Sequence, residues 1–225
     1  MSAAIPPELT CRRLEARDLP AVIALHHRMR ATLPRDLIAF ETDAFFADHI
    51  QALGCIYGCF AGEELAAYAV LGLPGPDDAN FGVDHGLSLA DLRLVAHLDG
   101  AAVIEPWQGQ GLQRALSVLR MREARRHGRQ IMLSTAAPLN IPSLANLLLC
   151  GFEVRGLVEK FGGARFLMRR DLLPGEEITA RDGFPDFLAG PPVPLKDMDG
   201  HRVMLAQGRR GVALDVAHQS LVYHP

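Results

Sequence analysis

The sequence predicts a mixed α/β domain, a mixed sheet of about six to seven strands with flanking helices, followed by a small C-terminal extension. Three observations carry that prediction. Apolar residues recur at helical spacing in Val22, Leu25 and Met29, and again in Leu112, Ala115, Leu116 and Leu119. Short apolar runs bounded by turn residues, such as 55–61 and 65–71, have the length of strands. The two kinds of segment interleave, as they do in layered α/β folds.

The elements follow in order from local signals. Residues 11–14 come after a proline-bearing start and form the first expected strand. Asp18 is placed to cap a helix, with Pro20 in its first turn where a missing N–H costs little. The region of Pro34 breaks that helix. A second helix is expected over 42–53, with Phe46, Ile50 and Leu53 on one face and Gly54 to end it. The runs 55–61 and 65–71, linked by Gly62-Glu63-Glu64, predict a hairpin. Residues 72–87 are rich in glycine and proline and predict a long loop, a kind of segment that is usually functional or mobile. One helical turn is expected from Ser88, where Ser88 and Asp91 resemble a capping box. A strand over 97–104 is ended by Pro106. A helix over 111–127 carries arginines opposite its apolar face, and a strand follows over 130–135. Asn140 is placed to cap a helix with Pro142 in its first turn, stopped by Gly151. Residues 152–159 and 165–172 form a last strand pair around Gly162-Gly163. The domain is expected to span 1–173. The extension, 174–225, has prolines at 174, 185, 191, 192, 194 and 225, with a short helix expected after Asp199 and a hairpin over 211–223.

Composition narrows the function. The chain has 225 residues, 49% hydrophobic, enough for one well-buried core. A net charge of −3 argues against non-specific nucleic-acid binding, which needs a basic surface. No run of eighteen apolar residues and no leader-like start is present, so neither a membrane nor export is expected. Cys55 and Cys59 fall on one expected strand, about 13 Å apart, too far for a disulfide. No histidine pair completes a zinc spacing. All four cysteines, with Cys11 and Cys150, are therefore expected as buried reduced thiols, consistent with the cytoplasm, and no metal is expected.

The informative run is 103–116, where a strand ends, a glycine-bearing loop follows and an amphipathic helix begins. The first N–H groups of a helix lack partners within it and carry the positive end of its dipole. With Gly109 and Gly111 allowing close approach, the turn is a ready phosphate site. A plain tight turn would use the same glycines. The run lacks the Gly-Lys-Ser/Thr ending of a Walker loop and the third glycine of the dinucleotide fingerprint.

Gln108-Gly-Gln-Gly-Leu-Gln113 resembles the pyrophosphate loop of the GNAT acyltransferase superfamily, Gln/Arg-x-x-Gly-x-Gly/Ala. Gln108 and Gly111 match, and Gln113 departs from the Gly/Ala of the last position. Asn140-x-x-Ser143, followed by Gly151-Phe152, resembles a second region of that family. The element order fits across about residues 9–173. The resemblance implies that acetyl-CoA or another acyl-CoA binds as co-substrate. Its pantetheine arm would lie along the backbone of Ala101, Ala102 and Val103, whose amides would polarise the thioester carbonyl. Its pyrophosphate would rest on Gln108, Gly109, Gln110, Gly111, Leu112 and Gln113, with Asn140 and Ser143 on the far side. Asn140 is equally suited to a plain helix cap. The tyrosine that many relatives use as general acid falls at Leu147.

Glu105, at the end of the cofactor strand, is the candidate catalytic base; a solvated carboxylate is its plain alternative. His97 and Asp99 share a strand face that Glu105 continues unless a bulge intervenes. His97 is expected to be structural. Asp84 and His85 belong to the long loop, Trp107 to the helix packing, and Arg165 to a turn. The arginines at 120, 122, 125, 126 and 129 are expected mostly on a solvated face, with one or two able to meet the 3′-phosphate of coenzyme A. Two functions remain open: an N-acetyltransferase acting on a small-molecule or peptide amine, and a non-catalytic acyl-CoA sensor, which Leu147 keeps in view. The extension could close the acceptor site or form a homodimer surface.

Overall fold

In a computed structural model of the protein, the structure describes residues 4–32, 34, 37–184 and 190–225. Pro185 of the extension lies outside them.

Strand β1 (Thr10–Arg13) is followed by a 3-10 turn and helix α1 (Leu19–Thr32). Asp18 closes that turn rather than capping the long helix: it accepts the Glu15 N–H at 2.8 Å and holds Arg12 through two bonds of 2.7 Å. The bonds from Arg12 bring its carboxyl down to about 2. Thr42 caps α2 (Asp43–Gln51), its hydroxyl accepting the Phe45 N–H. Gly54 opens β2 (Gly54–Ala61), which forms the expected hairpin with β3 (Glu64–Gly72). Ser88 caps the single turn α3 (Leu89–Leu92). Then come β4 (Val95–Val103), α4 (Leu112–Arg126), β5 (Ile131–Ala136), α5 (Ile141–Leu149), β6 (Glu153–Lys160) and β7 (Gly163–Asp171).

Among the described residues the sheet has ten strands rather than six to seven, in the order β1-β2-β3-β4-β5-β7-β6-β9-β10-β8. Seven strands lie before residue 173. The others are β8 (Pro192–Pro194), β9 (Arg210–Asp215) and β10 (Ser220–His224), with α6 (Met198–Ala206) between β8 and β9. The extension joins through β9, whose Gly211 sits opposite Val154 of β6. A Cβ at 211 would stand 2.6 Å from the Leu221 side chain and 3.0 Å from Val154, so glycine permits the approach. The junction covers an edge of β6 that would otherwise expose a row of unpaired backbone groups. Val193, Leu195, Leu214, Leu221 and Tyr223 complete the main hydrophobic core.

Two further expectations are corrected. Cys11 and Cys59 are opposite partners in the β1–β2 register and form a disulfide. Spacing along one strand excluded Cys55–Cys59 but was blind to a partner 48 residues away. Cys55 and Cys150 are free and buried, and burial pushes each thiol up to about 11. The arginines of α4 do not form a plain solvated face. Arg122 donates to Ile178 O (3.0 Å) and Arg125 to Glu176 O (2.6 Å), with Arg114 on Arg181 O (2.7 Å). Together they bind the strap 174–184 across the helix.

Arg120 is only 2% exposed. Between Ala69↔Ala101 and Leu71↔Leu98, β4 spends three residues where β3 spends two, a bulge at Asp99-Gly100. Arg120 pins it, its Nη1 donating to Val70 O (2.8 Å) and Asp99 O (3.2 Å). Burial lowers the guanidinium to about 10, so it remains charged near neutrality. Arg120→Met leaves these buried carbonyls short of a donor, and is expected to lower unfolding free energy by about 2–3 kcal/mol; urea denaturation checks it.

Candidate functional site

Strands β4 and β5 are parallel and paired over only three positions, Val95↔Ile131, Ala96↔Met132 and His97↔Leu133. The Ser134 hydroxyl then donates to Leu98 O at 2.7 Å. Beyond that bond the bulge turns β4 aside and the strands part. A cavity of about 160 Å³ fills the wedge. Ala101 and Ala102 line it from β4, and Ala136 and Ala137 from the end of β5. Gln113 and Ser117 of α4 face it with Asn140, Ser143 and Leu147 of α5. Its roof is the segment from Leu37 to Glu41, with His26 and Met29 of α1.

Helix α4 begins beside this wedge. Gly109 and Gly111 have φ of 73° and 79°, left-handed conformations that favour glycine. Gly111 is the N-cap and brings no side chain to the first-turn amides. Gln108 donates to Val103 O (2.8 Å) and Gln110 to Pro106 O (2.9 Å), so both side chains tie the loop to itself. Gln113 has a structural use at the position where it departs from the family pattern: its Oε1 accepts Asn146 Nδ2 at 2.9 Å, joining α4 to α5. Asn140 caps α5 by accepting the Ser143 N–H (3.2 Å) and donates to Leu37 O (3.1 Å). Arg165, 2% exposed, also reaches the roof, at Ile38 O (3.5 Å).

Of the residues expected at a coenzyme A site, Ala101, Ala102, Gln113, Asn140 and Ser143 line the cavity. Val103, the last residue of β4, and the stretch 108–112 leading into α4 are not part of the lining. Leu147 faces the cavity and is buried. Glu105 lies outside the lining, exposed in a 3-10 turn over Glu105–Trp107. The alternation from His97 through Asp99 is interrupted by the bulge, and β4 ends at Val103. Trp107 is half-buried against the main core. Asp84 and His85 lie in a separate cleft with Arg155, Arg169, Arg209 and Arg210, and Asp84 pairs with Lys160.

Glu41 and His26, which no local motif marked, also line the cavity, and His49 and His97 flank the Asp99 carboxylate beside it. Burial raises the Glu41 carboxyl to about 7, with Asp99 pushing the same way and His49 opposing. Burial opposes the charged ring of His49, but Asp99, 3.6 Å away, and Phe45 O together leave its pKa raised. His26 Nδ1 lies 2.9 Å from the Tyr68 hydroxyl, and burial lowers its pKa. His97 accepts the Phe81 N–H on Nε2 (3.2 Å) and stacks on the Phe81 ring at 4.3 Å, which fixes the loop 72–87 to β4. Only the fold assembles this group, because Glu41 and Asp99 are remote in sequence.

With two parallel strands parting beside a glycine-led helix start, the chain has the fold of GNAT N-acetyltransferases of known structure. Similar solved structures include the ribosomal-protein-S18-alanine N-acetyltransferase from Escherichia coli. It shares 21% identity with a TM-score of 0.52, over 75% of this chain and 97% of that one. YncA from Salmonella typhimurium, solved with its cofactor acetyl-CoA, gives 21% identity and a TM-score of 0.55 over 78% and 99% of the two chains. AAC(6')-Ib in complex with ribostamycin and coenzyme A gives 17% and 0.55 over 72% and 93%. No family model and no curated protein matches the sequence, so the likeness is one of fold.

Burial lowers the His97 pKa, so the folded state holds a neutral ring where the unfolded chain binds a proton below the ordinary value of 6.5. The stability His97 contributes is therefore present above that value and lost as pH falls below it. His97→Gln keeps an acceptor for Phe81 but does not titrate. Its melting temperature should lie below that of the wild type at pH 8, with the gap narrowing below about pH 6.5; paired thermal melts from pH 5 to 8 check it.

Proposed function

We propose that the chain is an acyl-CoA-dependent N-acyltransferase that moves an acetyl group from acetyl-CoA to a primary amine by direct attack. The observation that carries this is the wedge between β4 and β5, opening beside the side-chain-free start of α4. A thioester laid in the wedge would meet the backbone of Ala101, Ala102 and Val103, where amide donors stabilise charge developing on the carbonyl oxygen. Its pyrophosphate would rest on the loop from Gln108 to Gln113, where helix amides and the dipole favour an anion. Asn140 keeps a second amide hydrogen for the pantetheine while capping α5, and Ser143 stands beside it.

The solved neighbours support an amine acceptor of small-molecule or peptide type. One is named for a ribosomal-protein alanine and another is complexed with ribostamycin. Glu105, the base nominated by the sequence, is exposed beyond the end of β4, which favours the carboxylates inside the cavity for that role. Leu147 supports a second reading, a non-catalytic acyl-CoA sensor, because an apolar side chain stands where a tyrosine would protonate the leaving thiolate.

Calorimetry with acetyl-CoA tests the reading, with Gln113→Glu as the control. Glutamate can still accept from Asn146, yet it brings a negative charge to the first turn of α4. Wild type is expected to bind, and the variant to bind at least about tenfold more weakly, roughly 1.4 kcal/mol. Thiol release accelerated by amines separates the enzyme from the sensor, and absence of binding by the wild type overturns both.

A further inference from the structure

We propose that Glu41 is the catalytic base, taking the proton from the acceptor nitrogen and returning it to the leaving sulfur, an inference that rests on the acyltransferase reading. Glu41 stands at the end of the cavity roof, immediately before the cap of α2. A Cβ built at Gly100 would lie 3.9 Å from Glu41 Cγ, so the carboxylate arm lies over the β4 bulge, one residue before the Ala101-Ala102 backbone. Among the described residues the other carboxylate of the cavity is Asp99. Asp99 is engaged with two imidazoles, His49 Nε2 at 3.6 Å and His97 Nδ1 at 4.0 Å. Among the described residues no ion pair reaches Glu41.

The titratable and charged groups packed around it are His26 of α1, His49 of α2, Tyr68 of β3, Asp99 of β4, Arg120 of α4 and Arg165 of β7. His26 is bonded to Tyr68, and Arg120 donates to main-chain carbonyls and the Ser117 hydroxyl. Burial beside Asp99 raises the Glu41 carboxyl to about 7, where a base is both substantially ionised and strong enough to accept a proton.

The step balances with one carboxylate. The neutral amine nitrogen attacks the thioester carbon, and as the N–C bond forms it loses a proton to the Glu41 carboxylate. The C–S bond breaks, and the carboxylic acid passes that proton, through water, to the sulfur, giving an amide and a free thiol. Glu41 is regenerated, and no acid is required at position 147.

The experiment follows thiol release from acetyl-CoA between pH 5.5 and 9 in wild type, Glu41→Gln and Glu41→Asp. The amines are spermidine, a peptide with N-terminal alanine, and ribostamycin, and acetyl-CoA affinity is measured in parallel. Glu41→Gln is expected to keep that affinity within about twofold and to lose about 100-fold or more of amine-stimulated release. It should also lose the acid limb near pH 7, and Glu41→Asp should retain part of both. Melting supplies a readout independent of turnover. A carboxyl raised by the fold destabilises the folded state once ionised, so Glu41→Gln should melt higher than wild type above pH 7, the gap closing as pH falls. Wild-type rate and acid limb in Glu41→Gln overturn the role of Glu41 and leave the transferase standing. Acetyl-CoA binding by wild type with no release by any amine overturns both, as does absence of binding.

Discussion

The buried guanidinium of Arg120 is the constraint from which the rest of the site follows. A parallel strand pair that stayed hydrogen-bonded along its length would leave no room for a ligand between β4 and β5. The bulge at Asp99-Gly100 turns β4 out of that pairing, and a bulge leaves backbone carbonyls without ladder partners. Arg120 reaches through the core from α4 and donates to the carbonyls of Val70 and Asp99. A buried charge is costly unless its donors are met, and here the disrupted strand meets them. The wedge and the ion at its base therefore stabilise each other.

The other arginines of α4 extend the same logic outward. Arg114, Arg122 and Arg125 bind carbonyls of the strap 174–184, each a charge-assisted bond to a segment that has few apolar anchors. The strap leads the chain to the far edge of the sheet, where β9 pairs with β6 and two further strands, β10 and β8, follow. Helix α4 thus faces the wedge between β4 and β5 at its first turn and fastens the extension along its length.

Inside the wedge, polarity is unequally distributed. The floor beneath the proposed thioester is small and apolar, built from alanines that let backbone approach backbone. The roof side holds Glu41, His26 and Tyr68, beside Asp99 and His49, groups whose proton affinities are shifted by burial and by one another. Such clustering of shifted groups is common where protons are moved. A small apolar wall beside a cluster of groups that shift one another's proton affinity supports the proposed transfer of an acyl group to a basic nitrogen.

The sequence by itself determined the local elements, because caps, glycines and apolar periodicity act within a few residues. Ser88, Asn140 and Gly111 mark helix starts that the structure retains, and Gln108-Gly-Gln-Gly111 marks the glycine-led turn into α4. The tertiary structure alone decided whatever depends on partners far apart in the chain. Cys11 meets Cys59 through strand register, and Gly211 meets Val154 through an edge no local signal describes. Glu41 becomes unusual only when the roof closes over Asp99, since an isolated glutamate before a helix is an ordinary solvated carboxylate. Proximity in sequence fixes backbone conformation, whereas desolvation and charge coupling require residues to be brought together across the core.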